Sequence, residues 1–309
     1  MKPGGILVLH QGALGDWILS IPAFRSIRQH HPNQIARMAI HSFLIPLLKC
    51  SDRSYEGISN DDGRILDLWR ENERPPGRIG TLGAAYVFGR KRDPVLFKNL
   101  GRICGEEPKF LPTFPQPHTS VHVVEFQGRV LQTLNLRAAG PMSRLHPPEE
   151  ALREARSALR RLGVGESPIA VHPGSGSKIK NWSIQCFKKL IRYVSSNLTV
   201  PVVLLLGPAD EDLVPETAGL PCLTGLPLDT LAAVLKISRG YIGNDSGVTH
   251  LAAATGTPTL ALFGPTDPHV WGPIGEHVSI LRDGPQMEDL AYESVRMRAE
   301  AFFFDRPHR

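Results

Sequence analysis

The chain contains 309 residues, of which 41% are hydrophobic and 21% are charged, a composition typical of a soluble globular protein. This length exceeds what one hydrophobic core usually organises, so we expect two domains. The net charge of +5 is spread along the chain, and no nucleic-acid-binding motif accompanies it, so we expect no nucleic-acid partner. The charge favours an acidic partner such as a phosphorylated ligand, or it is an ordinary solvated basic surface.

The cysteine pattern argues against a zinc site and indicates a reducing compartment. Cys50, Cys104, Cys186 and Cys222 lie far apart, and none forms a C-x-x-C pair. The apolar run at residues 6–9 is too short for the core of a signal peptide, and no run approaches the ~20 residues of a membrane span. We therefore expect a cytoplasmic protein, and the positive charge leaves open a peripheral contact with a membrane surface.

The N-terminal half begins with a predicted strand at residues 6–9, a glycine-containing loop and a helix at 17–30 that Pro32 ends. The apolar residues of this helix recur at three-residue steps and form one helical face. The other predicted elements of this half are a strand at 35–41, a helix at 42–50, strands at 65–68 and 84–88, loops at 70–78 and 109–118, and a helix at 121–136.

The C-terminal half follows a predicted linker at 139–148 and a helix at 149–162 that Gly163 closes. Strands and helices then alternate, which predicts a parallel, doubly wound α/β sheet. The predicted order is strand 169–171, helix 183–196, strand 201–206, helices 210–218 and 228–236, strand 240–243, helix 248–255, strand 259–263 and a last helix at 287–302.

The first motif, GALGD at residues 12–16, follows the first strand directly. Its glycines allow a tight turn, and a carboxylate at the start of the next helix can act as a general base if it faces a cleft. Asp16 can equally be a helix-capping residue, which is a common role of aspartate at this place. The motif lacks the third glycine of a dinucleotide-binding fingerprint.

The second motif, HPGSGSKIKNWS at residues 172–183, is again a strand end, a Gly/Ser loop and a helix start. Backbone N–H groups at Ser175 and Gly176 together with Lys180 suit a pyrophosphate. The G-K-S/T sequence of a Walker motif is absent. An ordinary flexible loop with one exposed lysine explains the same residues.

The third motif, LLLGPADE at residues 204–211, carries acidic side chains just past a strand. A carboxylate here can accept hydrogen bonds from ribose hydroxyls. Alternatively, Asp210 caps the following helix and Glu211 interacts favourably with the helix dipole.

The fourth motif is the most informative stretch of the chain, YIGNDSGVTHLAAATGTPTLALFGP at residues 241–265. Small polar residues follow a strand and precede a helix, at the edge of an open α/β sheet where ligands bind. The residues Asp245, Ser246, Gly247 and His250 span this loop and the first helical turn, so they can face one ligand. A metal site built from one histidine and one aspartate is poorly supported.

Taken together, these motifs resemble glycosyltransferase family nine, the lipopolysaccharide heptosyltransferases. The resemblance is carried by HQGALGDWILSIPAFRSI, by HPGSGSKIKNWS and above all by IGNDSGVTHLAAATGTPTLALFGPTDP. It is faint at residues 50–165, where such enzymes form much of the acceptor side.

The resemblance implies a GT-B fold, with two Rossmann-like doubly wound domains facing across a cleft. The implied domains are an acceptor-side domain at 1–145, a nucleotide-sugar-binding domain at 146–286 and a C-terminal helix at 287–309 that packs back on the first domain. It also implies an inverting, metal-independent transfer of heptose from ADP-heptose to a hydroxyl of the lipopolysaccharide inner core, with no cofactor, at the cytoplasmic face of the inner membrane.

The resemblance further assigns roles to individual residues. Asp16 matches the general base, Lys180 the lysine on the donor phosphate, and Glu211 the carboxylate on the adenosine ribose. Asp245, Ser246, Gly247 and His250 match the donor loop near the pyrophosphate and the sugar. Two alternatives stay open: an enzyme of the same fold that uses another nucleotide sugar, and a nucleotide-binding scaffold without turnover.

Overall fold

The computed structural model describes residues 4–51, 54–71, 79–116, 119–137, 140 and 144–304. The chain divides into two compact units, Met1–Ser143 and Arg144–Arg309. The boundary predicted after residue 145 lies close to this division. The predicted loop at 70–78 lies mostly outside the described residues, and the predicted linker at 139–148 lies partly outside them.

The first unit is built on a five-stranded parallel sheet with the order β3-β2-β1-β4-β5. Its strands are β1 (Gly5–His10), β2 (Ala36–Ile40), β3 (Glu56–Ser59), β4 (Leu82–Gly89) and β5 (Lys109–Pro112). Its helices are α1 (Leu14–Leu19), α2 (Ile21–His30), α3 (Gly63–Leu66), α4 (Pro94–Gly101) and α5 (Val123–Thr133), with 3-10 turns at Ser42–Lys49 and Asp67–Trp69.

The central strand β1 is apolar along almost its whole length because helices cover both faces of a parallel sheet. Leu7 and Leu9 are buried in a core cluster with α4 and the 3-10 turn Asp67–Trp69. Ile6 and Val8 alternate with them and are equally buried. The carboxyl end of β1 therefore lies in the middle of the sheet, between β2 and β4.

The second unit is built on a six-stranded parallel sheet with the order β11-β10-β9-β6-β7-β8. Its strands are β6 (Ile169–His172), β7 (Val202–Leu206), β8 (Cys222–Thr224), β9 (Gly240–Asn244), β10 (Thr259–Leu262) and β11 (Val278–Leu281). Its helices are α6 (Glu149–Arg161), α7 (Ile184–Asn197), α8 (Leu228–Ile237), α9 (Gly247–Ala254), α10 (Pro268–Trp271) and α11 (Tyr292–Phe303), with 3-10 turns at Lys178–Lys180, Pro208–Leu213, Pro215–Thr217 and Met287–Asp289.

Helix α11 lies with the second unit. The resemblance implies that residues 287–309 pack on the first domain, whereas Val295, Ala299 and Phe303 pack into the core of the second unit with β6 and α7. The indole N–H of Trp182 also donates to the carbonyl of Leu290 at 2.9 Å, just before this helix. The apolar face of α11 is thus buried on the sheet that precedes it in the chain.

Three of the local predictions that differ from the structure have a local physical reason. Residues 65–68 were expected to form a strand, but Asp62 caps a short helix there by accepting from the Arg64 backbone N–H. The expected loop at 109–118 begins with the edge strand β5, whose terminal Pro112 is tolerated because an edge position needs fewer ladder hydrogen bonds. The helix expected at 210–218 is two 3-10 turns, since Pro215 interrupts it.

Candidate active site

Both sheets reverse their strand order once, and in open α/β sheets such a switch point marks the ligand crevice at the carboxyl ends of the strands. In the first sheet the switch lies between β1 and β4, and in the second between β6 and β9. The first motif follows β1, the second begins at the last residue of β6, and the polar loop of the fourth begins where β9 ends. The topology therefore places each of these motifs at a switch point of its own sheet.

Asp16 lies in the first turn of α1 and is half-buried. Its Oδ2 atom accepts a hydrogen bond from the Ala13 backbone N–H at 3.1 Å. Asp16 therefore does cap the helix, although it is the third residue of α1 and reaches back to the N-cap residue Ala13. A Cβ atom on Gly12 would lie 2.6 Å from the Asp16 Cβ, so the tight turn requires glycine beside this carboxylate.

A buried histidine, His10, holds the Asp16 loop through hydrogen bonds. His10 ends β1, and its Nδ1 atom accepts from the Gly12 backbone N–H at 3.2 Å. Its Nε2–H then donates to Ser20 Oγ at 3.3 Å, and that hydroxyl donates to the Asp16 carbonyl at 2.8 Å. Burial, aided by the nearby charge of His41, lowers the pKa of His10 to about 3, so this ring is neutral.

Asp16 lines a cavity of about 690 Å³ within the first unit. Three basic residues that follow β4, namely Arg90, Lys91 and Arg92, line the same cavity. Phe114 also lines it, and the Arg90 guanidinium lies 5.3 Å from the centre of the Phe114 ring. The cavity thus combines two carboxylates, Asp16 and Asp93, with a cationic and partly aromatic wall, and the cationic part suits an anionic ligand.

In the second unit, Lys180 and Asp245 form an ion pair. The Lys180 Nζ atom lies 2.7 Å from Asp245 Oδ2, and the side chains are 29% and 7% exposed. The Thr266 hydroxyl donates to the same carboxylate oxygen at 2.6 Å. The structure therefore brings together two residues that the sequence analysis assigned to one ligand, although 65 positions separate them.

Ser246 is the N-cap of α9, because its Oγ atom accepts from the Thr249 backbone N–H at 3.4 Å. Gly247 begins the helix, and His250 is buried one turn later. The loop before the helix is held by Asn244, whose amide donates to the Pro173 carbonyl at 2.7 Å. The second and fourth motifs are thus joined at the carboxyl edge of the sheet.

Ser175 shapes its own loop, since its Oγ atom lies 2.7 Å from the Ser177 carbonyl and 2.6 Å from Asn181 Oδ1. A side chain at Gly176 would meet nothing within 4 Å, so packing alone does not demand glycine there. Glu211 is exposed on the 3-10 turn after β7.

The residues that the site prediction omitted are His172 and Asp210. Both are 4% exposed, and His172 Nε2 lies 3.1 Å from Asp210 Oδ2. The capping role considered for Asp210 is also present, since Oδ2 accepts from the Gly207 backbone N–H at 2.7 Å. The sequence could have indicated His172 as a site residue, because it ends an apolar strand and a polar side chain at that place lies at the ligand edge of the sheet.

Within the described part of the chain, no three metal-ligating side chains cluster into a site that could hold an ion. None of the described helices is long and apolar enough to cross a membrane.

Comparison with known proteins identifies the family. Residues 113–298 match the model of glycosyltransferase family 9 (heptosyltransferase). Lipopolysaccharide heptosyltransferase 3 of Escherichia coli K12 is 24% identical over 300 residues, which cover 85% of this chain and 83% of that protein.

Two solved structures share the fold. The family 9 glycosyl transferase of Veillonella parvula DSM 2008 superposes with a TM-score of 0.80 at 20% identity, covering 98% of each chain. The E. coli ADP-heptose lps heptosyltransferase II gives a TM-score of 0.72 at 18% identity, covering 97% of this chain and 99% of that one. The family and fold expected from the motifs are therefore confirmed. The chain belongs to glycosyltransferase family 9, the heptosyltransferases, and is a glycosyltransferase with the GT-B fold.

Proposed function

We propose that this protein transfers heptose from ADP-heptose to a hydroxyl of a lipopolysaccharide core acceptor, with inversion at the anomeric carbon and without a metal ion. The observation that carries the proposal is the pairing of Lys180 with Asp245 beside the N-terminus of α9. The Lys180 ammonium keeps N–H donors beyond the one that Asp245 takes, and together with the backbone N–H groups of the helix start these donors suit a nucleotide diphosphate. The names of the relatives support heptose and lipopolysaccharide as the substrates.

The donor side of the proposal rests on unused hydrogen-bond donors. A lysine ammonium has three N–H donors, and Asp245 takes one of those of Lys180. The other two are assigned to the donor diphosphate, together with N–H groups of the α9 first turn and of the Ser175–Gly176 loop. Glu211 is assigned to the ribose hydroxyls, consistent with its exposure on the turn after β7.

The chemistry needs no metal if these groups act together. The leaving group is ADP, and negative charge grows on its terminal phosphate as the glycosidic bond breaks. Preorganised cationic and N–H donors stabilise such charge strongly in a site that excludes water. Lys180 and the N-terminus of α9 are therefore assigned the role that a divalent cation plays in other transferases.

The acceptor side is assigned to the first unit. Inversion requires the hydroxyl to attack the face of the sugar opposite to ADP, so its base should come from a different element than the donor loop. Asp16 is proposed as that base. The cavity that it lines carries Arg90, Lys91 and Arg92, whose charges suit an acceptor rich in anionic groups, as expected for an inner-core lipopolysaccharide.

The proposal is tested by incubating the purified protein with ADP-heptose and lipopolysaccharides of graded core truncation, and by weighing the products. We expect one truncated core to gain a single heptose, with the anomeric configuration opposite to that of the donor. UDP-glucose and GDP-mannose serve as competing donors. Transfer from one of these but not from ADP-heptose would replace the donor assignment, and nucleotide binding without any transfer would identify a scaffold.

A further inference from the structure

A buried chain of three side chains connects the ends of strands β6, β7 and β9. His172 Nε2 lies 3.1 Å from Asp210 Oδ2, and His172 Nδ1 lies 3.2 Å from Ser246 Oγ. The three residues are 4%, 4% and 8% exposed. Nothing in the proposed transfer chemistry requires His172 or Asp210 to touch a substrate.

The proton between His172 and Asp210 can be assigned. Burial alone would raise the pKa of Asp210, but the hydrogen bond and charge of His172 and the Gly207 N–H outweigh it, so the pKa lies below its usual value. An ionised Asp210 can only accept, so His172 Nε2 carries a hydrogen. Nδ1 faces the Ser246 hydroxyl at 3.2 Å: a neutral ring accepts there, and a protonated ring donates there.

The contact with His172 fixes the position of the Ser246 Oγ atom. In either protonation state of His172, a lone pair of this oxygen remains for the Thr249 N–H that it caps. The Thr249 hydroxyl donates to the Asn244 carbonyl and lies 3.2 Å from Ser246 Oγ, so it packs against the same cap. His172 therefore orients the side chain of Ser246, the N-cap of α9.

The same carboxylate also supports the loop that carries Lys180. A Cβ atom on Gly174 would lie only 1.7 Å from Asp210 Oδ1, so the backbone of this loop rests directly on the Asp210 side chain. Asp210 thus contacts the second motif and, through His172, the fourth motif. Both motifs belong to the donor site of the proposed function.

We propose that Asp210 and His172 are positioning residues for the donor diphosphate. They hold Ser246 as the N-cap of α9 and keep the first-turn N–H groups of this helix aimed at the phosphates. In the part of the chain that the structure describes, no acceptor pairs with the N–H of Gly247 or Val248. The inference rests on the proposed function, because it needs a diphosphate ligand at this helix.

The experiment is a double-mutant cycle on ADP affinity, measured by calorimetry. His172→Asn and Ser246→Ala should each weaken ADP binding about tenfold, which is the loss expected for one hydrogen bond to a charged ligand. If His172 acts through Ser246, the two losses should not add. The double variant should then bind ADP as tightly as the single variant that has the lower ADP affinity. Adenosine, which has no phosphates, should bind all three variants like the wild type.

Two further variants keep the test decisive if His172→Asn does not fold. Asp210→Asn retains an oxygen that can accept from His172 and Gly207, so it should keep ADP affinity within about threefold, whereas Asp210→Ala should lose about tenfold. Ser238→Ala is the matched control, because Ser238 is equally buried and its hydroxyl donates only to the Val234 carbonyl. It should leave ADP affinity unchanged.

Additive losses in the double variant, or equal weakening of adenosine and ADP, would assign His172 to general packing and overturn the inference. Equal affinities of Asp210→Asn and Asp210→Ala would also overturn it. These outcomes leave the proposed function intact as long as the wild type binds ADP. Failure of the wild type to bind ADP would instead refute the proposed donor.

Discussion

Replacing Lys180 by alanine should weaken ADP-sugar binding far more than adenosine binding. The ammonium lies 2.7 Å from Asp245 Oδ2 and its side chain is 29% exposed, so it is anchored at one side and open to a ligand at the other. Adenosine has no phosphate for this ammonium to meet. The difference between the two ligands therefore isolates the phosphate contact.

The magnitude follows from the hydrogen bonds that are lost. A hydrogen bond to a charged group contributes roughly 1.5–3 kcal/mol, so ADP-heptose should lose about ten- to a hundredfold in affinity. Asp245 remains 7% exposed with the Thr266 hydroxyl as its partner. Leaving a buried carboxylate without its cation also destabilises the fold, by an amount on the order of 1–3 kcal/mol at this partly exposed pair.

Calorimetry with ADP-heptose and adenosine is the assay, and Lys178→Ala is the matched control. Lys178 belongs to the same 3-10 turn, so Lys178→Ala removes the same charge as Lys180→Ala. The Lys178 side chain, however, is 84% exposed and pairs with the exposed Asp212. Lys180→Ala combined with Asp245→Asn should regain stability without regaining donor affinity. Equal weakening of both ligands, or an equal effect of Lys178→Ala, would refute the placement of the diphosphate at Lys180.

Three further predictions follow from the same geometry. Gly174→Ala should destabilise the protein by about 1–3 kcal/mol in urea denaturation, the usual cost of overpacking, because the new Cβ would lie 1.7 Å from Asp210 Oδ1; unchanged stability would show that the loop yields. His10 has a pKa of about 3 when folded against an ordinary 6.5, so the unfolded chain gains a proton first as the pH falls. Stability should therefore drop by about 2 kcal/mol from pH 7 to pH 5, and His10→Gln should lack that part of the drop. Transfer activity should survive EDTA, because Lys180 and α9 are assigned the stabilisation of the leaving group; loss that a divalent ion restores would contradict this.

The strand-end motifs could be predicted from the sequence because each follows a short apolar run and contains glycine. Buried parallel strands are apolar on both faces, so β1, β6 and β9 are visible without an alignment. The short edge strands β3, β8 and β11 were missed because EGIS, CLT and VSIL are brief and partly exposed. Such segments obtain their strand conformation from a neighbouring strand rather than from their own pattern.

The chemistry-bearing residues were found more easily than the residues that support them. Lys180 and Asp245 have charges that call for a ligand or a partner, and both were assigned to the donor. The pairing of His172 with Asp210 joins positions 38 residues apart and depends on β6 and β7 being neighbours. The role of His10 likewise depends on Ser20 reaching back to the end of its strand. Contacts of this kind depend on which strands are neighbours in the sheet, and the local pattern of apolar and polar residues does not reveal that order.

The central claim, that Asp16 activates the acceptor hydroxyl, is tested most directly by the transfer rate of Asp16→Asn. Asparagine retains an oxygen that can accept from the Ala13 backbone N–H, so the cap at the start of α1 persists. We expect ADP binding and stability close to those of the wild type, with a transfer rate lower by a factor of ~10²–10⁴. A rate near that of the wild type would mean that Asp16 serves only as a helix cap and would contradict the proposed mechanism.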